Sequence, residues 1–132
     1  MIKTNVELSD NINESHSFDE DFDYTNRKIA AFTFLESRYT VKTWLEMQKR
    51  VIGFLAELDL AGLMKILQDD KFPARFFSIA QKEGFDEIQT GLYVLTKTST
   101  QTKLDIINRL FDKMGLDKSE LSLEIYQESL GS

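Results

Sequence analysis

From Lys28 to Leu58 the chain reads KIAAFTFLESRYTVKTWLEMQKRVIGFLAEL. Residues Lys28 to Leu35 are dense in aromatic and apolar side chains and predict a buried strand. Glu36-Ser37 is a short polar break. Arg38-Tyr39-Thr40-Val41-Lys42 then alternates, with Tyr39 and Val41 on one side, which is the period of a half-buried strand. Two such runs predict a hairpin, although Glu-Ser lacks the Asn-Gly chemistry of a tight primed turn. From Trp44 the period changes. Trp44, Met47, Val51, Phe54, Leu55 and Leu58 recur at spacings of three and four, the apolar stripe of a helix. Thr43 and Glu46 supply a capping-box pattern at its start. A hairpin that runs straight into a helix does not follow the regular strand–helix alternation of a doubly wound fold.

The pattern continues downstream. Asp59 is placed to cap a short helix over Leu60–Leu67, and Gln68-Asp69-Asp70-Lys71 with Pro73 ends it. Arg75–Ile79 reads as a short strand, Gln81–Gln89 as a loop, and Gly91–Thr96 as a strand. A second amphipathic helix follows, with Leu104, Ile107, Leu110, Phe111 and Met114 on one stripe. Gly115 stands where a helix ends in a residue of positive φ, with Leu116 after it. Leu121, Leu123 and Ile125 alternate in a last strand. The expected fold is α+β, a mostly antiparallel sheet with two main amphipathic helices packed on one face.

Composition bounds the rest. The chain has 132 residues, ten of them Phe, with no cysteine and one histidine. A hydrophobic share of 42% is enough to build a core. The absence of cysteine rules out disulfides, thiolate zinc sites and a Cys nucleophile. The net charge of −6 arises within residues 1–25, which hold seven acids against Lys3, so the remaining chain is neutral. That stretch predicts an acidic disordered tail over 1–25, followed by a single domain over 26–132. No apolar run reaches the roughly 18 residues of a membrane span. The N-terminus lacks a signal-peptide core, so the expectation is a soluble, cytoplasmic protein without membrane contact.

Candidate chemistry is sparse. Asp19, Glu20, Asp21 and Asp23 lack the glycine and distal glutamate of a calcium loop, and Asp69-Asp70 are neighbours that point apart. No two carboxylates are spaced to converge, and no phosphate-binding glycine loop or serine elbow is present. The expectation is a protein without catalytic, metal or cofactor residues, and not an enzyme. His16 reads as a passenger in the tail, and Trp44 as a core residue. Two stretches could meet an anion. Thr96–Lys103 leads into a helix start, where free N–H groups, hydroxyls and two lysines could hold a phosphate through Lys97, Ser99, Thr100 and Lys103. The plainer account is a helix cap flanked by solvated lysines. Arg38, Lys42, Lys49 and Arg50 could form a small basic surface.

The run Arg38-Tyr39-Thr40-Val41-Lys42-Thr43-Trp44-Leu45-Glu46-Met47 and the run Gly91-Leu92-Tyr93-Val94-Leu95-Thr96-Lys97-Thr98-Ser99-Thr100 carry a resemblance. Together they resemble small α+β accessory domains appended to bacterial restriction-type and phage-defence proteins, where such domains often follow a ParB-like nuclease module. The resemblance spans about residues 28–126 and implies an accessory module of a DNA-processing or defence system. It transfers no catalytic residue, because the matching positions are turns, caps and core. The leading expectation is therefore a non-catalytic interaction module, bacterial in origin, that docks on a protein partner. The alternative is a nucleic-acid-binding accessory domain using the Lys97–Lys103 helix start and the small basic surface. Oligomeric state and partner identity are not written in the sequence.

Overall fold

The computed structural model describes residues 13–69 and 71–127, so residues 1–12 of the expected tail and Asp70 lie outside the described residues. The chain is α+β, with two antiparallel sheets and three α-helices among the described residues. It divides into two compact units where the sequence reading had one domain. The first takes residues up to Trp44 and from Lys118 onward, and the second takes Leu45–Asp117.

The first unit is a four-stranded sheet in the order β1-β7-β2-β3, from β1 (Asn13–Ser17), β2 (Ile29–Phe34), β3 (Ser37–Thr40) and β7 (Leu121–Tyr126). β2 has strands on both sides and is buried along almost its whole length, which explains its near-continuous apolar run. Phe32 stands opposite Tyr39 in register, and their rings stack at 5.2 Å. The expected hairpin forms, with its turn one residue earlier than Glu36-Ser37. Phe34 pairs with Ser37, and Leu35 and Glu36 occupy the loop with φ of 50° and 73°. Two consecutive left-handed residues match the twist of a primed turn, and this geometry overrides the poor preference of Leu and Glu for it. The amide of Leu35 also donates to the carbonyl of Glu120 at 3.0 Å, which ties the turn to the approach to β7.

The disordered tail expected over 1–25 is corrected from Asn13 onward. Asn13–Ser17 pairs along all five residues with Tyr126–Ser122, and Tyr24 is only 5% exposed. The strand contains no apolar residue, so hydrophobic alternation could not reveal it. Polar partners hold it instead, as described below.

The second unit begins inside α1 (Trp44–Leu58), followed by α2 (Leu60–Leu67) and α3 (Thr100–Met114). Its three-stranded sheet has the order β4-β6-β5, from β4 (Phe77–Ser78), β5 (Phe85–Gln89) and β6 (Leu92–Leu95). The expected stripes bury Met47, Val51 and Leu55 on α1 and Leu104, Ile107, Leu110 and Phe111 on α3. Phe54 is half-buried and Leu58 is 52% exposed. Trp44, expected in the core, is half-buried too, and its indole N–H donates to the carbonyl of Arg27 at 2.9 Å within the first unit. Asp59 caps α2 by accepting from the amide of Gly62 at 2.9 Å. A Cβ at Gly62 would run into that carboxylate, so the glycine makes the cap possible. Gly115 closes α3 at φ 72°, and the amide of Leu116 donates to the carbonyl of Phe111 at 2.9 Å, as in a Schellman ending.

Two readings change. Residues 74–76 form a 3-10 turn and β4 keeps only Phe77–Ser78 of the expected strand. Phe85–Gln89, expected as part of a loop, is a strand paired with β6 through a two-residue turn at Thr90-Gly91, where Gly91 has φ 80°. Asp86 and Glu87 disguised it, since acids are depleted in strands.

Candidate functional site

The approach to α3 holds four expected phosphate ligands, and the structure uses two of them internally. Ser99 is the N-cap, its hydroxyl accepting from the amide of Thr102 at 3.1 Å. Lys103 lies one turn into the helix, where long side chains lean back toward the N-terminus. Its ammonium donates to the carbonyls of Thr96 at 2.9 Å and Thr98 at 2.6 Å, and the residue is only 7% exposed. Burial pushes its pKa below the ordinary lysine value. The charge therefore faces two carbonyl dipoles and not solvent. Around it the loop is closed. The amides of Thr96 and Lys97 both donate to the carbonyl of Gly84, at 2.9 and 3.0 Å, and the Thr96 hydroxyl donates to Asp86. Of the four residues, Lys97 is exposed and Thr100 half-buried. The Lys103 ammonium is thus engaged by the loop that precedes the helix, and Lys97 is the one lysine of the expected pair that is exposed.

The expected basic surface divides between the units. Arg38 and Lys42 belong to the first, Lys49 and Arg50 to the second. Arg38 is engaged by a carboxylate in fork geometry. Its Nε donates to Glu124 Oε1 at 3.0 Å and its Nη2 to Oε2 at 2.7 Å. Glu124 also accepts from the Asn13 side chain at 3.0 Å, so it links β7 to β1 beside it and, across β2, to Arg38 on β3. The hydrogen bonds from Arg38 and then Asn13 hold the Glu124 carboxyl below its ordinary value against the opposing effect of burial. Arg38 is thus a sheet brace.

Two features escaped the sequence reading. The first is apolar. α2 reads LAGLMKIL, yet Leu63 is its one fully buried residue, and Leu60 is 43% exposed. Beside it runs a groove of about 340 Å³ within the second unit, lined by Met64, Leu67, Ala74, Phe77, Ile79 and Leu92, with Gln68 and Ser78 as its polar members. No charged side chain lines it. Ile79 is 76% exposed, more than any other large apolar residue among those described. The signal was present in sequence, since α2 is apolar around most of its circumference, but only the structure shows which side is uncovered.

The second is His16. Its Nδ1 lies 2.7 Å from Glu20 Oε2 and its Nε2 3.0 Å from Glu14 Oε2. The imidazole stacks on Phe22 at 3.7 Å, and Tyr24 meets it edge-on at 6.1 Å. Arg27 donates to the other oxygen of Glu14 and, at 3.1 Å, to the carbonyl of Tyr126. The Tyr24 hydroxyl is buried without a partner, and burial with the charges of Glu20 and Glu14 pushes its pKa up to about 12. Asp23, expected in an acidic run, accepts from the amide and hydroxyl of Thr25 and shapes the turn before Arg27.

The chain matches no family model, no curated protein and no solved structure. Among the described residues no group of three or more His, Asp or Glu side chains is arranged to hold a metal, and no helix is long and apolar enough to cross a membrane.

Proposed function

We propose that the protein is a non-catalytic interaction module that docks on a protein partner through the apolar face formed by α2 and the groove beside β4. The observation that carries this reading is the exposed Ile79 at the edge of an apolar groove without charged lining. Monomeric proteins rarely leave contiguous apolar surface open, and such patches mark partner sites. The groove's size suits one or two inserted side chains, so the partner presents an aliphatic or aromatic anchor, the usual centre of a protein interface. The bacterial setting in DNA processing or phage defence, and a cytoplasmic location, are part of the proposal. They rest on the resemblance of the runs 38–47 and 91–100 and on the chain's composition.

A photoreactive residue in place of Ile79, and separately in place of Lys97, tests it in the source cell. Crosslinking from position 79 to one protein, lost when Leu67→Glu is added to a chain that still melts normally, is the expected result. Crosslinking from position 97 to nucleic acid, or no crosslink from position 79, overturns it in favour of the phosphate-binding alternative or of neither.

A further inference from the structure

We propose that His16, clamped between Glu14 and Glu20 and stacked on Phe22, is a pH-operated clasp that holds strand β1 on the edge of its sheet at mildly acidic pH and loosens it as the pH rises. The geometry makes the clasp a protonated one. Both ring nitrogens face carboxylate oxygens at hydrogen-bond distance, and only imidazolium donates from both. Neutral imidazole keeps one N–H, so the other nitrogen then turns a lone pair toward a carboxylate. Either tautomer loses one contact, to β1 itself through Glu14 or to the following turn through Glu20.

The groups around the ring are few. β1 contributes Glu14, the turn contributes Glu20 and the Tyr24 ring, and β7 places Leu123 opposite His16 in register. Arg27 acts one step away, through the second oxygen of Glu14. The balance favours the charged form: burial opposes it, but the hydrogen bonds and charges of Glu20 and Glu14 raise the imidazole above its ordinary 6.5. A raised folded value means the stabilisation is complete below about 6.5 and is lost as pH climbs through the folded value. Glu14 sets the lower limit. Hydrogen bonds from Arg27 and His16 hold it below its ordinary 4.5, so its contribution is present above 4.5 and fades as pH falls through its folded value. The clasp is tightest between the two. Among the described residues β1 is the edge strand on that side of its sheet, so releasing it uncovers the backbone groups of β7.

The chain has one histidine, so its ring signals report this site without ambiguity. In the full chain, an NMR titration is expected to give a His16 midpoint above 6.5. Hydrogen-exchange protection factors of the Glu14–Ser17 amides are expected to fall several-fold with that same midpoint, while those of Ile106–Leu110 in α3 do not. Glu20→Gln, in an exposed turn position, is expected to lower the midpoint, and His16→Gln to remove the pH dependence of β1. If His16→Gln does not fold, Glu20→Gln decides. A midpoint at or below 6.5, β1 protection independent of pH, or a midpoint unmoved by Glu20→Gln overturns the proposal.

Discussion

The approach to α3 and the strand β1 with its turn are both crowded with polar residues, and they spend them in opposite ways from those their sequences suggest. Thr96–Lys103 has the composition of an anion site, with hydroxyls, lysines and a helix start. Its central charge is folded inward onto the carbonyls of Thr96 and Thr98. Asn13–Arg27 has the composition of a solvated tail. Its charges find one another instead, Glu14 with His16 and Arg27 and Glu20 with His16, while the neutral Asn13 amide donates to Glu124 on β7. The difference teaches that composition reports which groups are present, whereas partner distance decides whether they face a ligand or the protein itself. A lysine one turn into a helix reaches back to the preceding loop, so its ammonium satisfies that loop before any external anion can use it.

The largest expected effect breaks or keeps the β1 half of this comparison. Removing residues 1–25 takes away the five-residue pairing with β7, the buried Tyr24 ring and the His16 cluster. A loss of about 3–5 kcal/mol is expected from the aromatic burial alone, read as a fall in melting temperature on the order of 10 °C. A tail would come off without such a shift. Next comes Lys103→Met, which keeps the apolar stem and leaves two carbonyls without their donor. It is expected to cost about 2–3 kcal/mol in a denaturant titration, against nearly nothing for a solvated lysine. Ser99→Ala removes the cap of α3 and is expected to cost about 1 kcal/mol in the same assay. The smallest effect belongs to Lys97→Ala. Its exposed charge should change stability by no more than about 0.5 kcal/mol, so a larger value would reveal a partner at that end of the loop.

How far the sequence could be read follows the same division. The apolar periods of α1, α3, β2 and β7 report their burial directly, and the caps at Asp59, at the start of α3 and at Gly115 are local chemistry between residues a few positions apart. These were legible. β1 and β5 were not, because β1 is wholly polar and its partner lies far along the chain, while acids interrupt the apolar pattern of β5. Glu124, about 110 residues from Asn13, holds the first strand, and only β6 turns Phe85–Gln89 into the second. The α3 site was half legible: a cap at the start of the helix was expected, the choice of Ser99 over Thr100 came from the structure, and the inward turn of Lys103 was hidden in its side-chain direction. The apolar face on α2 was visible as excess hydrophobicity, but which side lacks a cover depends on where the 74–79 segment runs.

The start of α3 is a closed cap, and we propose that the chain meets its partner through apolar surface instead. Titrating the isotope-labelled full chain with a short DNA duplex, at low and then at physiological salt, tests it residue by residue. The account predicts no saturable amide shift at Lys97, Ser99, Thr100 or Lys103 at either salt. A saturable shift there that weakens steeply with salt and disappears in Lys97→Ala would contradict it, and would return the site to the phosphate backbone.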